Sequence, residues 1–333
     1  MRLSTIRQFC GFPLLASLIL AAGSTVLSGG SPAPPSVERS VLPAQTDPAT
    51  DAPNDPHFVV NPNPTVEPRN RLFVMLPGTG AKPRVYHLIV EEAAKRGYHA
   101  IGLDYPSAVA IGSACEHATD AACYGKVRRK LITGEDATDL VKLTPANAIA
   151  HRLAALLHYL ATTYPNEGWA QYLDSHGQVV WNKVHVGGHS QGSGHAGYMT
   201  KLYPLARACF FSFGYDYNTQ IPMPAWISEP NVTPASRMYA FINVNDEIIK
   251  VGIAEQEWKI LGLYAFGAPA SVDGTQPPYG GSHILTTALP PAPTTPPNFV
   301  YPNHSEPIID FVTPKNPDGS PLHAPAWDSM CFP

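Results

Sequence analysis

Charge is scarce in this sequence: 14 % of residues are charged, with 22 Lys and Arg set against 26 Asp and Glu. A net charge of −4 lacks the basic footprint of a nucleic-acid binder, and so weak a charge bias is unlike an acidic or basic disordered chain. No H-E-x-x-H, C-x-x-C or Walker A pattern occurs, so no catalytic metal, nucleotide or other cofactor is expected. The apolar run near the start, residues 12–22 (FPLLASLILAA), falls short of the roughly 20 residues that a membrane helix needs. No repeat of solenoid length is visible. Proline, by contrast, is plentiful, at 36 of 333 residues. Ten of these prolines lie in 31–68 and 14 in 277–333, which leaves an ordinary middle between proline-rich ends.

Residues 1–30 read as an export signal. Arg2 and Arg7 give a positive start, the apolar run follows, and Ala21, Gly23 and Ser24 suit a signal peptidase. The mature protein is then expected to be secreted or periplasmic, with no stable membrane span. Residues 31–56 are expected to form a proline-rich, solvated linker, and 57–333 a single domain whose first edge strand is HFVV at 57–60. Loss of Cys10 with the signal leaves an even number of cysteines, which favours disulfides in an exported chain. Cys115 and Cys123 bracket a polar loop (CEHATDAAC) and are expected to pair. Cys209 either pairs with Cys331 or remains a buried thiol.

The middle alternates. Strands are expected at 72–76 (LFVML), 98–103, 183–186, 206–214, 237–244 and 282–289, and helices at 84–96, 146–163, 193–203 and 253–263. Such alternation implies an α/β fold, with a mostly parallel sheet covered by helices on both faces. Ligands of such sheets meet the carboxyl ends of the strands.

At one of those ends lies Gly188-His189-Ser190-Gln191-Gly192, a G-x-S-x-G motif between a strand and a helix. That context is a nucleophile elbow, whose sharp turn raises the serine hydroxyl above the sheet. The glycines permit close approach of strand and helix, and the Gln191 N–H at the helix start is offered to a developing oxyanion. A rival signal overlaps it. Gly192-x-Gly194-x-x-Gly197, with Asp216 after the next strand, matches a dinucleotide-binding fingerprint. The scarcity of nicotinamide cofactors outside the cell weighs against that reading, which also leaves Ser190 without a task.

With LPGTG after one strand, GLDYP after the next and VGGHSQG at the elbow, the sequence resembles the α/β-hydrolase superfamily, particularly secreted bacterial esterase- and lipase-like members. The resemblance implies an α/β-hydrolase fold and the chain order Ser, Asp, His. It implies Asp246 as the acid, at the end of RMYAFINV (237–244), with Asp216 as the alternative. The base is His304, in the loop after the last strand and flanked by Pro302 and Pro307, or else His283 at the start of that strand. His323 belongs to an irregular tail and is expected at the surface. Thr79, or alternatively Gly80, is expected to supply the second oxyanion N–H beside Gln191. Tyr215 and Trp226, in an aromatic loop, are candidates for the substrate wall, whereas KVRRK (126–130) reads as a solvated face.

The function implied is that of an exported serine hydrolase cleaving a small-molecule or polymeric carboxylic ester through an acyl-enzyme. A non-catalytic secreted binding protein on a hydrolase scaffold is the alternative from another class, and a dinucleotide-binding oxidoreductase is a third.

Overall fold

Leu72–Leu76 is apolar at every position and buried at every position, which is possible only for a strand covered on both faces. It is the third strand, β3, of a nine-stranded sheet in the computed structural model, which describes residues 36–214, 216–293 and 299–333. The expected export signal at 1–30, and Tyr215, lie outside the described residues.

The strands are β1 (Val37–Val41), β2 (His57–Asn61), β3, β4 (His99–Gly102), β5 (Val184–His189), β6 (Arg207–Phe211), β7 (Met238–Asn243), β8 (Ala270–Ser271) and β9 (Ile284–Thr287). Their spatial order is β1-β2-β4-β3-β5-β6-β7-β9-β8. β2 runs antiparallel to both β1 and β4, and all the other pairs are parallel. The helices are α1 (Pro43–Thr46), α2 (His87–Lys95), α3 (Ile111–Ala114), α4 (Cys123–Thr133), α5 (Ile149–Thr163), α6 (Gln191–Leu202), α7 (Val251–Leu261), α8 (Pro302–Ser305) and α9 (Ala324–Cys331).

Alternation along β3 divides the core. Leu72, Val74 and Leu76 join one apolar cluster, together with Val127 of α4, Leu156 of α5, Met199 of α6 and Trp258 of α7. Phe73 and Met75 join the other, with Ile89 and Val90 of α2 and Trp327 of α9. The expected α/β class and mostly parallel sheet are therefore observed, with helices on both faces. Among the described residues no helix is long and apolar enough to cross a membrane.

Three expectations need correction. Over its described part, the stretch 31–56 is not a solvated spacer. β1 (VERSV) contains no proline and pairs with β2 along its whole length, from Val37 opposite Asn61 to Val41 opposite His57. Pro43 sits in the first turn of α1, where its missing N–H costs nothing. Residues 51–53 are tied to the α5 region by Asn147 Nδ2 donating to Asp51 at 2.7 Å and Arg152 donating to the Pro53 carbonyl at 2.8 Å. β2, expected as the edge strand, accordingly lies inside β1. The tail is not irregular either: α9 packs Trp327 and Met330 into the core, and Cys331 is bonded to Cys209. A second disulfide joins Cys115 to Cys123.

Candidate active site

β5 ends at His189, and the chain reverses into α6 through Ser190, whose backbone sits at φ 54° and ψ −118°. A β-carbon added at Gly188 would meet the Gly192 carbonyl oxygen at 2.1 Å, and one at Gly192 would meet that of Leu76 at 2.2 Å. These contacts explain the glycines flanking the serine without any appeal to a dinucleotide. Beside Gly194 the space is filled by the Arg128 guanidinium, 2.0 Å from where a β-carbon would stand. The elbow opens onto a cleft of about 900 Å³, lined by Ser190, Gly78, Thr79, Gln191 and His304 and by apolar groups such as Val85, Ile111, Phe213 and Ile248.

His304 reaches this cleft from α8. Its Nδ1 lies 2.8 Å and 3.0 Å from the two carboxylate oxygens of Asp246, which follows β7. A carboxylate oxygen accepts, so the proton lies on Nδ1, and in the neutral imidazole the lone pair is then on Nε2. Nε2 makes no hydrogen bond among the described residues, so it is not joined to the Ser190 hydroxyl in this state. Oδ1 of Asp246 also accepts the N–H groups of Ile248 and Ile249, both at 2.8 Å, which fixes the carboxylate plane. The neighbouring Glu247 holds α8 in place by accepting from the His304 N–H at 2.8 Å, the Asn303 N–H at 3.0 Å and Asn303 Nδ2 at 2.7 Å.

The loop after β3 supplies backbone donors. The Gly80 N–H donates to the Ser107 carbonyl at 3.0 Å, whereas the Thr79 N–H has no such acceptor among the described residues. The Thr79 hydroxyl donates to Gln191 Oε1 at 2.9 Å, which ties this loop to the elbow. Gln191 is the first residue of α6, so its own N–H has no acceptor within the helix.

The remaining candidates are engaged otherwise. His283 donates from Nδ1 to the Met238 carbonyl at 2.9 Å and stacks between Tyr239 and Phe266, away from the cleft. Asp216 lines the cleft, but Arg128 grips it through both oxygens at 2.6 Å and 2.5 Å, and Trp226 Nε1 donates to it at 2.9 Å. The acid of the dinucleotide fingerprint is therefore already occupied, and the carboxylate bonded to His304 is Asp246, not Asp216. Trp226 does not line the cleft; it is 1 % exposed in the core. Phe213 and Tyr217 line the wall on this side. His323 is not at the surface: it is buried, with Nε2 2.5 Å from Glu306. Nor is KVRRK solvated throughout, since Arg128 and Lys130 are buried on α4.

The sequence reading missed Tyr86, His189 and Glu247. Glu247 directly follows Asp246 at a strand end, which is a signal of sorts, whereas nothing in the sequence marks Tyr86 as a partner of His189. Among the described residues one group could hold a metal ion: Glu38, His87 and Glu91, whose ligand atoms lie within 4.8 Å of one another. None of the three lines the cleft, and Arg84 already engages Glu38 at 3.2 Å.

A mostly parallel sheet, an antiparallel second strand and a strained serine between the central strand and its helix together define the architecture. This is the α/β-hydrolase fold. No family model and no curated protein matches the chain. Among solved structures, the chain is similar to an α/β serine hydrolase without a lid from Xanthomonas campestris, at 10 % identity and a TM-score of 0.37 over 76 % of this chain and 84 % of that one. It is also similar to a dienelactone hydrolase from Anabaena variabilis, at 13 % identity and a TM-score of 0.37 over 77 % and 87 %. A thermophilic esterase from Thermogutta terrifontis matches at 14 % identity and a TM-score of 0.38 over 75 % and 80 %.

Proposed function

We propose that this α/β-hydrolase-fold protein is an exported serine hydrolase that cleaves carboxylic esters. The observation that carries this reading is the His304 imidazole, held through Nδ1 by Asp246 with Nε2 free, in the same cleft as Ser190. Ser190 Oγ attacks the ester carbonyl carbon while His304 Nε2 takes its proton, and Asp246 stabilises the imidazolium that forms. The tetrahedral oxyanion accepts hydrogen bonds from the Thr79 and Gln191 N–H groups. His304 then gives its proton to the departing alkoxide, leaving an acyl group on Ser190. Water repeats the sequence with the same base and releases the acid and the free serine.

The lining of the cleft is mainly apolar, which supports an ester with apolar substituents. The signal-like start and the paired cysteines support export. Turnover of p-nitrophenyl esters of graded chain length tests the reading. The wild type should hydrolyse them, and Ser190→Ala should lose at least about a thousandfold in kcat with its circular dichroism unchanged. Absence of turnover in the wild type, or full activity in Ser190→Ala, would overturn it in favour of a binding role.

A further inference from the structure

His189, buried beneath the nucleophile, joins two parts of the site that come from distant segments. Its Nε2 lies 3.1 Å from the backbone carbonyl oxygen of His304, which can only accept, so Nε2 carries the proton. Its Nδ1 therefore accepts, and the partner 2.9 Å away is the Tyr86 hydroxyl. That hydroxyl oxygen in turn accepts the Gly78 N–H at 2.9 Å. Gly78 immediately precedes Thr79, and a β-carbon at Gly78 would come within 3.0 Å of His189 Nδ1. A second tie, from Ser212 Oγ, reaches the same His304 carbonyl at 2.7 Å. Every donor along the path has one direction available to it. The two histidines consequently hold opposite tautomers, His189 protonated at Nε2 and His304 at Nδ1.

We infer that Tyr86 and His189 are positioning residues, a buried relay that sets the spacing between the oxyanion loop at Gly78-Thr79 and the base His304. The inference rests on the serine-hydrolase reading above. Burial suits this part. The titratable groups facing His189 are Tyr86, His304 and, beyond it, Asp246; burial, with a smaller push from His304, holds the His189 imidazole neutral by lowering its pKa to about 3. Burial raises the pKa of Tyr86 well above the usual phenol value, so its proton stays in place to donate. Neither residue exchanges a proton with the substrate. Each acts through the backbone of the residues that do.

Tyr86→Phe keeps the ring and removes the hydroxyl, leaving Gly78 N–H and His189 Nδ1 without that partner. The expected result is a fall in kcat of about 10- to 100-fold with KM nearly unchanged, because a small misplacement of base and oxyanion donors acts on the transition state. A purely structural role would instead lower stability and leave the kcat of the folded fraction unchanged. His189→Gln, which carries an acceptor and a donor on one side chain, should restore part of the rate lost in His189→Ala. Wild-type kcat in Tyr86→Phe, or no rescue by His189→Gln, would overturn the relay.

If Tyr86→Phe fails to fold, nitrogen-15 NMR of wild-type histidines decides. A neutral, Nε2-protonated His189 down to about pH 4 supports the relay, and an Nδ1-protonated ring overturns it. Turnover that Ser190→Ala abolishes, in a protein whose Tyr86→Phe variant is unaffected, would sink the relay alone. A wild type without turnover would sink both proposals.

Discussion

Glu247 accepts the backbone N–H of His304 at 2.8 Å, while the residue before it, Asp246, accepts the Nδ1–H of the same histidine at 2.8 Å. Two consecutive acids at the end of β7 thus hold one residue by its backbone and by its ring. Glu247→Ala should leave stability nearly unchanged, because Glu247 is at the surface, yet lower kcat by about tenfold through looser seating of α8. Steady-state kinetics beside thermal melts read both effects.

Asp246 and Asp216 follow adjacent strands of one sheet, and substitution should separate them cleanly. Asp246→Asn should lower kcat by about ten-thousandfold at near wild-type stability, because the asparagine favours the wrong imidazole tautomer. Asp216→Asn instead strands the buried Arg128 charge and should cost about 3–5 kcal/mol of stability. The fraction that remains folded should keep a kcat close to that of the wild type. Urea denaturation and kinetics on both variants check the contrast.

His57 is fully buried, accepts the Asp104 N–H at Nδ1 over 2.9 Å, and leaves Nε2 without a partner among the described residues. Burial lowers its pKa to about 3, far below its unfolded value. Between that value and about pH 6.5 the unfolded chain binds the proton and the folded protein does not. The stability from this group is therefore complete above about pH 6.5 and is lost as pH falls toward 3. The wild type minus His57→Asn difference in unfolding free energy should shrink by about 1.4 kcal/mol per pH unit across that window. Urea titrations at pH 7, 6 and 5 measure it, and a flat difference would contradict the assignment.

The two disulfides close loops of very different length: Cys209–Cys331 spans a sequence separation of 122 residues and Cys115–Cys123 one of 8. Loop-closure entropy gives about 5 kcal/mol for the first and about 2.5 kcal/mol for the second. Cys331→Ser should accordingly lower the melting temperature more than Cys123→Ser, and a reductant should abolish the difference between the wild type and each variant.

How much of this was legible in the sequence depends on burial and contact distance. The run 72–76 coincides with β3, because a strand covered on both faces must be apolar throughout. The elbow was legible because its glycines answer to backbone contacts packed tightly around one turn. β1 was hidden by its charged residues and the prolines around it, since its partner, not its composition, makes VERSV a strand. Arg128 read as surface because its partner Asp216 lies 88 positions away, and no local pattern reveals a pairing at that distance. Trp226 was placed at a substrate wall for the same reason: an aromatic among prolines reads alike whether it faces a ligand or, as here, a buried carboxylate. Order along the chain pointed to Asp246 and His304, whereas Tyr86 and His189 are joined by a hydrogen bond across 103 positions.

On the proposed reading, His304 and Asp246 make Ser190 a nucleophile. Reaction of the intact protein with a fluorophosphonate, followed by peptide mass mapping, tests it most directly, because such reagents label only an activated serine. A single adduct on Ser190 is expected, forming rapidly in the wild type and far more slowly in His304→Ala and Asp246→Asn. An unlabelled Ser190 in the wild type, or equal labelling rates in all three proteins, would contradict it.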